Sequence, residues 1–414
     1  MQDHRTESAH TRGAGMGERV LLTGGTGLLG SQIVKRILRD CPSTRLSLLV
    51  RSTAREAARS RVDKLLAGVL DVPDASIARD RVEVVEGDIA DPAFGLSAAC
   101  AGELAARVDH VIHCAATVRF DLPLEVARRH NTEGTRNVLG FAGRLSGLRR
   151  FDYVGTAYVA GRRAGLVRED ELDVGQGFWN SYEQTKMEAE KLVRAFGANH
   201  PTAIHRPSII VGDSRTGETT GFQGLYQVLP LYSRSLILAI PADPRTRVDL
   251  VPIDYVLDAL FALMNDEKSI GGSFHLASGP GNTCTIDELV HMLADFANAA
   301  PPPYLSFDTY QRFVRPVFRA VLWGKRRAAM LKGEHYLPYL SSRHAFDKTN
   351  ADAHLASLGI RVPHPTSYFG RLLAFQARRP GRGLARGEGA SRAAAPARED
   401  LSPLKTVPTR SVVP

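Results

Sequence analysis

The chain runs to 414 residues, 43% hydrophobic and 23% charged, with a net charge of +9, an ordinary composition for a soluble globular protein of about two to three domain-sized units. No apolar run reaches the roughly 20 residues needed to cross a bilayer. Cys41, Cys100, Cys114 and Cys284 show neither a Cys-x-x-Cys pair nor a His at ligand spacing, which argues for free thiols in a reducing cytoplasm and against a metal site.

Residues 1–18 are polar and charged without an apolar core, which reads as a disordered tail and not as a signal peptide or anchor. The first strand, Val20-Leu21-Leu22, enters the turn Thr23-Gly24-Gly25-Thr26-Gly27-Leu28-Leu29-Gly30 and opens a helix whose apolar residues Ile33, Val34, Ile37 and Leu38 recur at helical spacing. Gly24 and Gly27 can take backbone angles closed to other residues and leave room for a pyrophosphate, whose charge would meet the free N–H groups of the helix N-terminus. Gly30, one turn in, lets the helix lie close on the strand. The strand before and the helix after are the context this motif requires.

A second strand over 45–50 ends at Arg51. An NAD site usually places an acid there for the ribose 2′-hydroxyl, whereas an Arg accommodates a 2′-phosphate. Between Cys41 and Arg55 there is no acid, and Arg51 and Arg55 are on offer, so the expected cofactor is NADP(H). Arg81-Val82-Glu83-Val84-Val85-Glu86 alternates as a strand and runs into Gly87-Asp88-Ile89, where Asp88 could accept from an adenine amino group or cap a turn. Val108 to Cys114 is the next buried strand, closing on Ala115-Ala116, small enough for a ribose to approach the backbone. His113 in this strand reads as a satisfied core residue and is given no role. A helix is expected to begin near Asn131, and a strand over 151–154 ends at Gly155-Thr156.

This alternation predicts an α/β fold, a Rossmann-type doubly wound parallel sheet with a smaller C-terminal substrate-binding region. Ligands of such sheets bind outside the carboxyl ends of the strands, and Gly24, Arg51, Asp88, Ala115 and Thr156 all fall there. The chemistry follows at Asn180-Ser181-Tyr182-Glu183-Gln184-Thr185-Lys186, which opens a helix. Tyr182 and Lys186, four apart, share a helix face, and a nearby ammonium would lower the phenol pKa from its usual value near 10. Thr156 stands 26 residues upstream at a strand end. Together the three supply an acid and hydrogen-bond donors for one carbonyl oxygen.

The glycine turn, Thr156 and Tyr182-x-x-x-Lys186 resemble the extended short-chain dehydrogenases/reductases. Further strings resemble the fatty acyl-CoA reductase and thioester reductase branch, a male-sterility-like group: Cys41-Pro42 before the strand ending in Arg51, Val111-Ile112-His113-Cys114-Ala115-Ala116-Thr117-Val118-Arg119-Phe120-Asp121, Asn131-x-x-Gly134-Thr135, Thr156-Ala157-Tyr158-Val159 and Val251-Pro252-Ile253-Asp254-Tyr255-Val256. The resemblance covers roughly residues 19–290. It implies NADPH-dependent reduction of an acyl thioester, on coenzyme A or an acyl carrier protein, to an aldehyde or onward to an alcohol. Thr156, usually Ser in that family, Tyr182 and Lys186 would be catalytic. Gly24, Thr26, Gly27, Leu28, Leu29, Gly30, Arg51, Arg55, Asp88, Ile89, Ala115, Ala116, Asn131, Tyr182, Lys186, Pro207 and Ile209 would contact the cofactor, the last two from the segment His205 to Gly212 beside the nicotinamide.

The expected organisation is a cofactor domain over 19–211, completed by about 246–277, a substrate and lid region over 212–245 and 278–375, and a basic disordered tail over 376–414. Thr285 with Glu288 three residues on marks a helix N-terminus. The positive charge is late: eight basic residues against three acids in 376–414, and eight against Glu334 alone in 310–345, so the remainder is slightly acidic. Phe313, Val314, Val317, Phe318, Val321 and Leu322 recur at helical spacing with Arg312, Arg315 and Arg319 between them. This basic amphipathic helix reads as a lid with its apolar face packed over the substrate pocket, as a peripheral membrane contact, or as a dock for an acidic carrier or coenzyme A phosphates. Rival readings are a general carbonyl reductase acting on a sterol, sugar or polyketide, and a non-catalytic NADP-binding regulator. No reading motif for nucleic acid is present.

Overall fold

A computed structural model describes residues 18–69, 80–219, 239–321, 323–324, 327 and 333–378. Seven strands, β1 (Arg19–Thr23), β2 (Arg45–Val50), β3 (Val82–Glu86), β4 (His110–His113), β5 (Arg150–Val154), β6 (Thr202–Pro207) and β7 (Ser273–Leu276), form one sheet in the order β7-β6-β5-β4-β1-β2-β3. Every pairing is parallel, so all the strand ends expected to carry ligand-facing residues lie on one edge. The expected Rossmann-type sheet is therefore what the chain forms.

Alternate side chains of each strand serve opposite faces. Val20 and Leu22 of β1, with Leu46, Leu48 and Val50 of β2, pack under α1 (Leu28–Asp40), α2 (Ala58–Val69) and, further along, Ile253–Met264. Leu21, Leu49, Val111, Phe151 and Tyr153 pack the other way, under α3 (Ala98–Arg107), α4 (Gly134–Ala142) and α5 (Ser181–Gly197). Both faces are thus covered, which is why the strands read as nearly continuous apolar runs.

Boundaries differ from the sequence reading in two places that matter. The helix expected from Asn131 begins at Leu124, passes through a wide π turn at Arg129–Glu133 and continues as α4. The strand through His205 breaks at Ser208, whose N–H donates to the Leu276 carbonyl at 3.2 Å; Ile209–Val211 then pairs with Leu250–Pro252. Beyond the sheet, Thr285 caps Ile286–Ala297 with the expected reciprocal Glu288 bond. Phe369–Ala377 packs on that helix through Leu372 and Leu373 and buries Gln376, so Gln376, expected to begin the tail, belongs to this helix. The expected N-terminal tail up to residue 17, the expected C-terminal tail beyond 378 and residues 220–238 of the expected substrate region lie outside the described residues.

β5, which delivers Thr156, is anchored by a buried ionic cluster. Asp152 lies 2.7 Å from His110 Nε2, 2.7 Å from His205 Nε2 and 2.7 Å from Arg150 Nε, and Arg150 also bonds the Ser269 hydroxyl at 2.6 Å. Burial alone would raise the Asp152 pKa, but Arg150 and the two imidazoles hold it well below the usual carboxylate range. Removing one member of a buried pair strands the others, at a cost of about 3–5 kcal/mol. Asp152→Asn should therefore lower the unfolding free energy by that order and the urea midpoint with it, and an unchanged midpoint would contradict the cluster's anchoring role.

Candidate active site

The glycine turn is built by close approach. Gly24 has φ +78°, and a Cβ on it would lie 2.6 Å from the Ala115 nitrogen; a Cβ on Gly30 would lie 2.1 Å from the Gly24 carbonyl oxygen. Gly27 differs from expectation: its φ is −83° and its ψ 177°, open to other residues, and a Cβ there would be only 3.3 Å from the Gly24 oxygen. Its use is space. No side chain caps α1, and the first helical bond runs from Ser31 N–H to Gly27 at 2.9 Å. The N–H groups of Leu28, Leu29 and Gly30 therefore precede the ladder, and this uncapped end beside a cradle that any Cβ would fill suits a pyrophosphate.

Arg51 and Asp88, from adjacent strand ends, meet: Nη1 lies 3.5 Å from Oδ2, with the guanidinium about half exposed. The other Asp88 oxygen accepts from the Ala90 N–H at 3.0 Å, so the turn-cap reading holds alongside any contact with adenine. Arg55 is exposed on the following loop. Sequence reasoning missed Arg61 of α2, which donates to the Arg51 carbonyl at 2.7 Å and to the Thr26 hydroxyl at 2.9 Å, tying the glycine turn to the end of β2. Its only signal was membership of an arginine-rich run. Ile89 faces α4: its carbonyl accepts from Asn137 at 2.8 Å, and its side chain fills the space that a Cβ on Gly134 would need.

The Ala115 N–H donates to the Thr23 hydroxyl at 3.2 Å, and Ala116 follows half-buried. His113 bonds Thr23 at 2.7 Å and Thr135 at 3.0 Å through its two ring nitrogens, and burial pulls its pKa down to about 3. It is the satisfied core residue expected. Asn131 sits in the π turn, where widened turns often accompany functional sites. Its Oδ1 accepts from Thr117 N–H at 2.8 Å, while its Nδ2 donates to the Thr117 carbonyl at 3.1 Å and to the Thr185 hydroxyl at 3.0 Å. With both ends of the amide engaged, it fixes the loop after β4 against α5.

Asn180 caps α5, and Tyr182 and Lys186 lie on its first turns. Thr156, buried at the end of β5, accepts from the Tyr158 N–H at 3.2 Å and leans on the Pro207 carbonyl at 3.5 Å, so the ends of β5 and β6 and the start of α5 converge. Ile209 follows beside Tyr158, Tyr339 and His344, which line a small cleft. The expected electrostatics are corrected: Lys186 Nζ donates to the Val154 carbonyl at 2.9 Å and stands 4.3 Å over the Tyr153 ring. Burial pulls its pKa down to about 8. The Tyr182 phenol is not lowered; burial pushes it up to about 12, aided by Glu183 and opposed by the nearby Thr156 hydroxyl. Desolvation outweighs the Thr156 hydrogen bond, so the phenol keeps its proton at neutral pH.

Aromatic residues continue from Tyr182: Phe120 lies 5.7 Å from its ring, 5.2 Å from Tyr336 and 5.6 Å from Tyr339. His344–Phe346 pairs with Gly165–Val167, so the chain after 333 covers this side of the site. The preceding helix, running from Phe307 through Tyr310–Val314 to Val321, is turned opposite to the lid reading, with its apolar residues outward; Leu322, Lys325 and Arg326 lie outside the residues whose side chains are described. Phe313, Val317, Val321 and Trp323 are 60%, 56%, 69% and 83% exposed, while Arg315 and Arg319 reach Glu334 at 3.0 and 2.8 Å. Glu334, with no other acid in the segment, pairs with both guanidinium groups. Among the described residues no helix is long and apolar enough to cross a membrane.

The chain belongs to the male sterility protein family, whose sequence pattern it matches over residues 22–260, more than half its length. It is 24% identical over 360 residues to the chloroplastic fatty acyl-CoA reductase 2 of Arabidopsis thaliana, covering 69% of this chain and 58% of that protein. It is 28% identical over 281 residues to human fatty acyl-CoA reductase 1, covering 59% of this chain and 54% of that one; the chain thus spans little more than half of these relatives. The terminal R domain of the myxalamid PKS-NRPS biosynthetic pathway superposes with a TM-score of 0.74 at 28% identity, over 86% of this chain and 89% of that one. The resemblance read from the motifs is borne out.

Glu183, beside Tyr182, is fully buried, and burial holds its carboxyl up to about 7 against an ordinary 4.5. Because the folded pKa is raised, the associated stability is fully present below about pH 4.5 and is lost as pH rises through about 7, by on the order of 3 kcal/mol at most. The melting temperature of Glu183→Gln should accordingly gain on the wild type between pH 5 and 8. A difference that stays constant across that range would contradict the raised value.

Proposed function

We propose that the chain is an NADPH-dependent reductase that converts an acyl thioester, carried on coenzyme A or on an acyl carrier protein, to an aldehyde. The observation that carries the reading is the convergence of Thr156, Tyr182 and Lys186 at the edge where the glycine turn also opens. Relatives named fatty acyl-CoA reductases and the R domain of a PKS-NRPS pathway support a thioester substrate.

In this reading the N–H groups of Leu28, Leu29 and Gly30 hold the pyrophosphate, and Gly24, Thr26 and Gly27 shape the turn around it. Arg51 and Arg55 take the 2′-phosphate, with Asp88 and Ile89 toward the adenine. Ala115 and Ala116 leave space for a ribose, Lys186 anchors the other, Pro207 and Ile209 flank the nicotinamide, and Asn131 acts by holding the loop after β4. The bound cofactor supplies a hydride to the acyl carbon. The chain does the rest: Thr156 and Tyr182 donate to the carbonyl oxygen as its charge develops, and Tyr182, protonated at neutral pH, gives up its phenolic proton. The hemithioacetal then breaks its C–S bond, releasing aldehyde and thiol.

Tyr182→Phe should lower thioester-dependent NADPH oxidation by at least ~100-fold, the scale of a lost general acid, with NADPH binding nearly intact. Unchanged turnover would overturn the assignment. The exposed stripe Phe313, Val317, Val321 and Trp323, flanked by the exposed Arg312 and Arg319, favours a second element of the reading, peripheral contact with an anionic membrane. The protein should co-sediment with phosphatidylglycerol vesicles and not with phosphatidylcholine vesicles, and Val317→Asp should abolish it; no sedimentation with either would contradict the contact.

A further inference from the structure

Glu183 follows Tyr182 in sequence, yet its buried carboxylate is hydrogen-bonded by neutral groups. Oε2 accepts from the Trp179 N–H at 2.9 Å, and Oε1 accepts from the Tyr339 hydroxyl, 156 residues away. The same hydroxyl accepts from the Asn180 amide at 2.8 Å, and Asn180 Oδ1 accepts from the Glu183 N–H at 3.0 Å. A carboxylate taken out of water is costly unless bonded, and a charged acceptor binds a hydroxyl about twice as strongly as a neutral one. The first turn of α5 therefore grips Tyr339 at two points.

What this grip holds is an aromatic wall. The Tyr339 ring lies 5.2 Å from Tyr158 and 5.6 Å from Phe120, and Phe120 spans Tyr182 at 5.7 Å and Tyr336 at 5.2 Å. Phe120 has no polar atom in its side chain, and the Tyr339 hydroxyl is already taken by Glu183 and Asn180. Phe120, the member of the wall next to the phenol, offers carbon alone.

We propose that Glu183 is a positioning residue: through Tyr339 it holds Leu337–Ser341 as an apolar wall beside Tyr182 and so favours thioesters with a long apolar acyl group over short ones. The inference rests on the thioester-reductase reading above. Leu337–Ser341 is a single short turn, and the Tyr339 hydroxyl is its side-chain link to the start of α5.

Steady-state kinetics with NADPH, comparing palmitoyl-CoA with acetyl-CoA, test it. Tyr339→Phe should raise the KM for palmitoyl-CoA about 10-fold, the effect of one hydrogen bond to a carboxylate, leaving kcat and the acetyl-CoA kinetics unchanged, and Glu183→Ala, which also alters the surroundings of the Tyr182 phenol, should raise the palmitoyl-CoA to acetyl-CoA KM ratio by the same factor. The double variant should be no worse than either single one, since both remove the same bond, and Glu183→Gln, which keeps an acceptor, should fall between wild type and Glu183→Ala. Equal losses on both thioesters, or additive losses in the double variant, would overturn the proposal. A wild type that reduces no thioester would remove the functional reading instead, and tryptic cleavage after the exposed Arg343 would then decide the tether: faster cleavage in both single variants supports it, and equal rates overturn it.

Discussion

The Gly24 carbonyl occupies the space that a Cβ on Gly30 would need, and Gly24 itself is pressed against the backbone of Ala115. This three-way contact fixes the end of β1, the start of α1 and the end of β4 relative to one another. Every other feature of the site is referred to it. The uncapped N–H groups of α1 point where the turn leaves space, Arg61 ties Thr26 of the same turn to the end of β2, and the loop after β4, set by Gly24 on one side, is set by Asn131 on the other. Asn131 in turn bonds Thr185, so the position of the nucleotide turn is transmitted to α5 and its Tyr182 and Lys186 through a short chain of buried contacts.

Within that frame the site is dry, and dryness sets its chemistry. Burial pushes the Tyr182 phenol up and pulls the Lys186 ammonium down, the opposite of what a simple pairing of the two would do. In the proposed reaction a phenol that keeps its proton would give it away, and the nearby Thr156 hydroxyl would give the carbonyl oxygen a second donor. The aromatic rings around Phe120 extend the water-poor region away from the reacting groups, toward where the non-reacting part of a substrate would lie.

Local signals made the frame legible. Gly24, Gly30, the strand ends at Arg51, Asp88, Ala115 and Thr156, and α5 with its Asn180 cap were all readable because each depends on residues within a few positions of one another. The capping box at Thr285 and Glu288 was readable for the same reason. Other features were hidden by distance. Nothing near Glu183 announces Tyr339, and nothing near Arg51 announces that Arg61 would turn back to it. The start of the helix at Leu124 was obscured because a π turn at Arg129–Glu133 interrupts the usual period just before Asn131. The helix before Val321 showed its amphipathic pattern in the sequence, but nothing near Arg315 and Arg319 announces that both would pair with Glu334.

The central claim is hydride transfer to a thioester carbon, and the most direct measurement is to follow the label. With NADPH deuterated at C4 of the nicotinamide and a palmitoyl thioester, the account predicts an aldehyde bearing deuterium at C1 and one free thiol for each aldehyde formed. Deuterium found only in a reduced ketone or sugar, or no transfer with any carbonyl despite tight NADPH binding, would contradict it.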